Sequence, residues 1–374
     1  MNWSILLAIL SALCFVLFVY PYAIYGPILA ALPRQDIERR QHDASVSLLF
    51  CAYNEAPSLG AKIENLRRLK SSYPDLEILA YDDGSQDATA ALLGKEERLL
   101  TLVKGPGRRG KAAGMKRLAE LARGTILIFT DANVLLDQHV IANILQYYAD
   151  EEIGGVCGTL KYSDDARSET ASVSSSYWSL DERLRTLESA TGSVMGADGS
   201  IFSIRRSLYP SFPDNVLDDL TVSMSVVFAG KRLVKAGDVI AYENSVVAQD
   251  EERRRKIRIG ARAMRTHVYL RPKLRNMSAI DRFKYTSRKV LRWFGASFLV
   301  GGISFGTAAL YLANPSAALL AAVSVCAILM LALAPVRSAR KVWRAIELLF
   351  ATQYGVFQGA LGRDYVTWSP AKTR

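Results

Sequence analysis

The chain has 374 residues, half of them hydrophobic, and a formal charge of +11 from 47 Lys and Arg against 36 Asp and Glu. That length is ample for a large core plus appended segments, and a mean hydropathy of +0.10 is high for a chain that lies wholly in water. Cys14, Cys51, Cys157 and Cys326 stand far apart with no CxxC pair, which excludes a disulfide framework or a cysteine-rich zinc site.

From Trp3 to Leu32 the chain carries no charged residue, and at 1.5 Å per residue about 20 apolar residues cross a bilayer core. A transmembrane helix is expected over 1–32, with Pro21 and Pro27 as places where it kinks or ends. A signal peptide would show a basic n-region and a shorter apolar run. A second apolar block, Trp293 to Ala334, is divided by the turn signal Asn314-Pro315 and is expected to form a transmembrane hairpin over 293–334.

Basic clusters flank these segments: Arg34, Arg39 and Arg40; Arg288, Lys289 and Arg292; Arg337, Arg340, Lys341 and Arg344. The positive-inside rule then sets the central domain on the cytoplasmic face of the cell (inner) membrane. Residues 345–361 include Glu347, Gln353 and Gln358, so 345–374 reads as an interfacial or re-entrant helix and a tail. Between Arg253 and Arg292 fifteen Lys and Arg face one acid, Asp281. Residues 251–292 therefore read as basic juxtamembrane helices that grip anionic lipid. No nucleic-acid partner is expected, because between Arg253 and Arg275 Tyr269 is the one aromatic platform among these charges.

Within 45–250, SVSLLFCA (45–52), LEILAYDD (76–83) and GTILIFTDAN (124–133) read as buried strands, with helices around 61–70 and over 87–100 between them. Strands that alternate with helices and end in acids describe an α/β parallel open sheet whose ligand sits beyond the carboxyl ends of the strands. Asp82 and Asp83 end one strand, and Asp131 and Asn133 end another that the alternation makes its expected neighbour. Like charges gathered this way call for a cation, and oxygen-only ligands suit Mg²⁺ or Mn²⁺ holding a phosphate. Singly, DDGS is also a common turn sequence.

In this order and spacing the motifs resemble a membrane-anchored family 2 glycosyltransferase, the inverting GT-A group, of the exopolysaccharide or polysaccharide synthesis type, over about Ser45 to Met264. The resemblance implies a GT-A (Rossmann-like) nucleotide-sugar-binding domain. It places the donor at Ala52, Tyr53 and Glu55 of CAYNEA, at Asp82 and Asp83 (with Asp87 third) of DDGSQD, and at Lys111 and Asp131. The DxD metal position falls on Asp131 and Asn133, Asn taking the place where the family more often has Asp. GADGSIF, with Gly196, Asp198 and Gly199, resembles the acceptor-side segment. Asp219 of NVLDDLTVSM is the implied general base, with Asp218 in the place of the usual Glu beside it. On the residues alone, an acid pair ahead of a helix fits an ordinary helix start better than a catalytic site.

The QxxRW segment of processive synthases has no tryptophan here; Gln249, Arg253 and Arg254 remain as candidate diphosphate contacts, and Arg258 lies a turn further on. The expected activity is transfer of a sugar from a nucleoside diphosphate donor, UDP-linked, to a lipid-linked or growing glycan acceptor. A partner subunit or oligomer is left open. The rival readings are a processive synthase that exports its product and a non-catalytic nucleotide-sugar-binding scaffold.

Overall fold

A computed structural model of the protein describes residues 2–162, 169–243, 249–317, 337–363 and 365–367. The chain starts in helix α1 (Trp3–Val19), widens to a π-helical turn at Tyr20–Ile24 and continues as α2 (Tyr25–Ala30). Pro21 sits at the start of that turn, where its missing N–H and its ring break the regular ladder. It widens the helix and does not end it.

The α/β unit follows with β1 (Val46–Ala52), α3 (Ala56–Ser72), β2 (Glu77–Asp82), α4 (Thr89–Gly94), β3 (Thr101–Lys104), α5 (Lys111–Leu121) and β4 (Ile126–Asp131). Along β1, Val46, Leu48, Phe50 and Ala52 enter one core and Leu49 and Cys51 the other, as the two-residue period of a strand covered on both faces requires. The unit closes with β5 (Leu135–Leu136), α6 (Val140–Tyr147), β6 (Ile153–Tyr162), α7 (Glu169–Ala190), β7 (Ile201–Arg205), α8 (Asp218–Phe228) and β8 (Arg232–Glu243).

These strands form one eight-stranded sheet, β3-β2-β1-β4-β7-β6-β8-β5. The order corrects three expectations. The two acid-tipped strands β2 and β4 are not neighbours: both pair with β1, parallel, on its opposite sides. Only the β3-β2-β1-β4 half is uniformly parallel, since β7 runs antiparallel to both β4 and β6. The helix expected over 87–100 stops at Gly94, and the edge strand β3 follows it.

After the sheet come α9 (Gln249–Arg275), α10 (Ala279–Tyr285), a π-helical turn at Thr286–Val290, the short α11 (Leu291–Trp293), α12 (Gly295–Ala313) and α13 (Arg337–Ala360). Among the described residues, two helical stretches, Trp3–Ala30 and Gly295–Ala313, are long and apolar enough to cross a membrane. They pack at small residues: Ser11 donates to the Gly302 carbonyl at 2.7 Å, and a Cβ on Gly306 would come within 2.9 Å of Ser11 Oγ. Close backbone approach at Gly and Ser is how helices associate where no hydrophobic force separates them from lipid.

Trp293 is not part of the apolar span, because it is buried against Tyr285 and His267. The second arm of the expected hairpin lies mostly outside the described residues, although Asn314 accepts the Ser316 and Ala317 N–H groups as a turn at that point requires. Helix α13 lies on α9 so tightly that a Cβ on Gly260, Gly355 or Gly359 would strike the facing backbone. Its outer face exposes Trp343, Phe350, Tyr354 and Phe357, positions seven, four and three residues apart that share one side of a helix.

Candidate active site

The site forms where β1, β2 and β4 end on the same edge of the sheet. Asn54, two residues after β1, takes a left-handed conformation (φ 50°), which Asn tolerates better than most residues. Its side chain accepts the Gln86 N–H at 2.8 Å and its own N–H reaches Ser85 Oγ at 3.0 Å, so the CAYNEA and DDGSQD segments are locked together. Asp82 accepts the Ser85 N–H at 3.3 Å and closes the turn. Glu55 is buried at the start of α3, where Ser58 donates to its carboxylate. Asp87 accepts the Ala56 and Thr89 N–H groups and so caps two helices.

Asp83 is fully buried, yet its carboxylate accepts the backbone N–H groups of Arg109 (2.8 Å) and Gly110 (3.0 Å). Burial raises its pKa against those donors. Its observed role is to brace the basic loop that ends at Lys111. Arg108 completes the brace, reaching Asp83 at 3.4 Å with its guanidinium 3.1 Å from the centroid of the Tyr53 ring. Gly110 has φ +91°, and a Cβ there would come within 2.6 Å of the Val366 carbonyl, so glycine is required at the hinge of this loop.

Lys111, the first residue of α5, places Nζ 2.5 Å from Asp131 Oδ1 at the end of β4. Burial works against its charge, but Asp131, Asp218 and Asp219 together outweigh it and keep the ammonium protonated. The loop after Asp131 is fixed from α3: Lys62 donates to the Val134 carbonyl at 2.6 Å, and Asn65 bonds both ways to the Leu136 backbone.

Asp219, in the first turn of α8, faces this pair across Gly199. A Cβ on Gly199 would lie 3.2 Å from Lys111 Nζ and 3.3 Å from Asp219 Oδ2. Burial and the neighbouring Asp218 charge push the Asp219 carboxyl up from 3.8 to about 6, a value suited to a base working near neutrality. Asp218 is buried and held by Arg262 of α9 at 3.8 Å, and the Leu217 N–H donates to Thr266 of the same helix at 2.8 Å. The basic helix α9 thus pins the start of α8. Asp198 caps its own turn through the Ser200 N–H at 3.0 Å, and burial raises its pKa less than Arg185 and that bond lower it.

This geometry makes Gly199→Val a specific test. The added methyls would fill the gap between Lys111 and Asp219, so transfer is expected to fall by about two orders of magnitude or more, as for loss of a positioned catalytic base. The melting temperature should stay near wild type, because no backbone atom is among the nearest neighbours of a Cβ at Gly199.

Among the described residues no group of three His, Cys, Asp or Glu can hold a metal ion. The donor set here is smaller and oxygen-rich. Asp131 keeps about a third of its side chain exposed, and Asn133 donates its amide N–H to Glu243 at 2.7 Å, which leaves the amide oxygen as a ligand. One carboxylate and one carbonyl suit a hard divalent cation that takes its other ligands from water and donor phosphates.

Not every sequence candidate converges here. Arg253 and Arg254 are exposed, and the side chain of Gln249 lies outside the described residues. Arg255 is the arginine of that run coupled electrostatically to Glu243, Tyr162 and Asp198. The sequence reading also missed Glu243, Asn54 and the Tyr53–Arg108–Asp83 stack. Only the last carried a signal, the consecutive Arg108 and Arg109 in the loop before Lys111.

Residues 47–211 match the profile of glycosyl transferase family 2, so the central part of this chain is similar to family 2 glycosyltransferase domains. Among curated relatives, it is 23% identical over 206 residues to the O-antigen chain rhamnosyltransferase RfbN of Salmonella typhimurium, covering 53% of this chain and 63% of the relative. It is 29% identical over 116 residues to the uncharacterized glycosyltransferase YfnE of Bacillus subtilis, covering 30% of this chain and 29% of that one. In both, this chain spans less than two thirds of the relative's length. Among solved structures, the mannosyltransferase PcManGT from Pyrobaculum calidifontis, in complex with GDP-Man and Mn²⁺, matches with a TM-score of 0.73 at 21% identity, covering 96% of this chain and 100% of that one. That likeness is one of fold, a GT-A-like α/β sheet with helices.

Proposed function

We propose that the protein transfers a sugar with inversion from a nucleoside diphosphate donor to a lipid-linked or growing glycan acceptor at the membrane surface, in exopolysaccharide or cell-envelope glycan synthesis. The observation that carries this reading is the convergence of Lys111, Asp131 and Asp219 around the side-chain-free position Gly199. Lys111 faces the donor diphosphate and balances its charge by charge-assisted hydrogen bonding. Asp219 accepts the proton of the acceptor hydroxyl as that oxygen attacks the anomeric carbon from the face opposite the leaving nucleoside diphosphate. Asp131 and Asn133 would hold Mg²⁺ or Mn²⁺, which when bound supplies neutralising charge to the leaving group.

Several features support membrane placement: the apolar helices α1 and α12, the exposed Arg34 and Arg40 that follow the first of them, and the apolar outer stripe of α13. A lipid-bound acceptor is confined near the surface, and an enzyme anchored in the same plane meets it at a raised effective concentration.

The test is transfer of radiolabelled sugar to glycolipid extracts and to water-soluble glycans in parallel, with the product anomer read by NMR. Inverted product on the lipid fraction is expected, one residue per acceptor for single transfer. Product found only on water-soluble acceptors, or with retained configuration, would overturn the proposal.

A further inference from the structure

Between the acceptor-side segment and the base of the first apolar helix lies a buried ionic network that the transfer chemistry does not use. Glu188 of α7 accepts from Arg288 at 2.5 Å, from Tyr25 at 2.8 Å and from the Met195 N–H at 3.0 Å. Asp181, one helical stretch earlier, accepts from Arg185 Nε at 2.8 Å, Arg288 at 3.3 Å and Arg292 at 2.8 Å. These two carboxylates are saturated with donors.

Two cations beside this network keep donors that it does not use, although Arg185 is itself paired with Asp181. Arg185 is 6% exposed and its Nη1 is buried without a hydrogen-bond partner. Lys289 forms no hydrogen bond or ion pair among the described residues, and its Nζ lies 3.5 Å from the position a Cβ on Gly196 would take. The charged groups around Lys289 are Arg288, Arg185, Asp181 and Glu188, and burial with the two like charges pushes its pKa down to about 7. A buried donor left unpaired costs stability, and so does a cation crowded by other cations. An anion beside Gly196 would meet the Lys289 ammonium and offset the positive charge that Arg185 and Arg288 add around it.

The location narrows which anion. The turn that carries Lys289 touches the end of the first apolar helix, where Tyr20 and Ser287 share a hydrogen bond of 3.0 Å and Arg292 lies 5.4 Å from the Tyr22 ring centroid. In the other direction, Gly196 stands three residues before Gly199, at most about 11 Å of extended chain, and Asp219 lies beside Gly199.

The geometry points to Lys289 and Arg185 as a binding site for the phosphate of an amphiphilic acceptor, whose apolar tail stays in the bilayer while its reactive end passes Gly196 towards Asp219. The inference rests on the proposed transferase function for the direction of the acceptor, but the anion site itself does not.

The experiment uses the full-length protein in an uncharged maltoside detergent, titrated with dodecyl phosphate and followed by its melting temperature, with nucleoside diphosphate binding measured on the same samples. Dodecyl phosphate is expected to stabilise the wild type. Lys289→Ala should weaken its apparent affinity about 10-fold or more, the loss of one charge-assisted hydrogen bond. Lys289→Arg should recover most of that affinity, and nucleoside diphosphate binding should be unchanged in both variants, which also reports that they are folded.

Equal binding of dodecyl phosphate by wild type and Lys289→Ala would overturn the site. Inorganic phosphate binding as tightly as dodecyl phosphate would overturn the amphiphile. Displacement of dodecyl phosphate by phosphatidylglycerol at equal concentration would make this a bilayer headgroup site and overturn the acceptor. Dodecyl phosphate binding without any nucleotide binding would instead contradict the transferase reading and leave the anion site standing.

Discussion

Asp219→Asn is expected to lower kcat by about 10²- to 10⁴-fold, the usual contribution of a positioned general base, while the affinity for the nucleoside diphosphate donor stays close to wild type. The amide has nearly the same shape and still accepts the Leu220 N–H that Asp219 accepts at 2.7 Å, so a loss confined to kcat isolates proton transfer from binding. Because burial and Asp218 hold the carboxyl near 6, wild-type activity should rise with pH through about 6, as the base must be ionised to act.

The same shift predicts a stability effect of opposite sign. The carboxyl ionises near 3.8 when unfolded and near 6 when folded, so wild-type stability falls as pH rises from about 4 to 6 and is level above. The variant lacks that loss. It should therefore be more stable than wild type at pH 7, by an amount on the order of 3 kcal/mol, and the difference should vanish below about pH 4. A variant both inactive and less stable at pH 7 would contradict the assignment of Asp219 as a strained, functional acid.

Asp83→Ala carries the second large effect. It removes the acceptor from two backbone N–H groups, those of Arg109 and Gly110, and the unmet donors are expected to cost about 2 to 5 kcal/mol of stability. Since the loop they hold leads directly into Lys111, donor affinity should fall with stability. Asp83→Asn keeps one accepting oxygen and should recover part of both. Thermal melts with and without nucleoside diphosphate separate the two losses. A variant as stable as wild type would show that the loop has another brace.

The parts of the site that lie within single segments were legible from sequence. The strands at 46–52, 77–82 and 126–131 show their burial in continuous apolar runs, and Lys111, Asp131 and Asp219 stand in motifs whose order is informative. What could not be read is long-range pairing. Nothing local says that β1 inserts between β2 and β4, or that β7 returns antiparallel, because strand order is fixed by packing across the whole sheet. The same holds for charge. Arg288 and Lys289 look like solvent-facing residues flanking an apolar span, yet Arg288 is 2% exposed, since its partners Asp181 and Glu188 lie about a hundred positions earlier. Asp83 was readable as a site acid but not as a brace, because its partners are backbone groups that carry no sequence signature. Arg255, not Arg253 or Arg254, lies in the field of Glu243, Tyr162 and Asp198, a difference set by the phase of α9 that composition does not show.

The measurement that tests the central claim most directly is the melting temperature of the detergent-purified protein against UDP-, GDP- and TDP-linked sugars, with and without Mn²⁺, for wild type and Asp131→Ala. A donor at about 100 times its dissociation constant stabilises by about 2.7 kcal/mol, enough to read. A metal-dependent rise with one nucleotide class in wild type, lost in Asp131→Ala, is the predicted result and names the donor. No rise with any donor, or an equal rise in Asp131→Ala, would contradict a nucleotide-sugar site at Lys111 and Asp131.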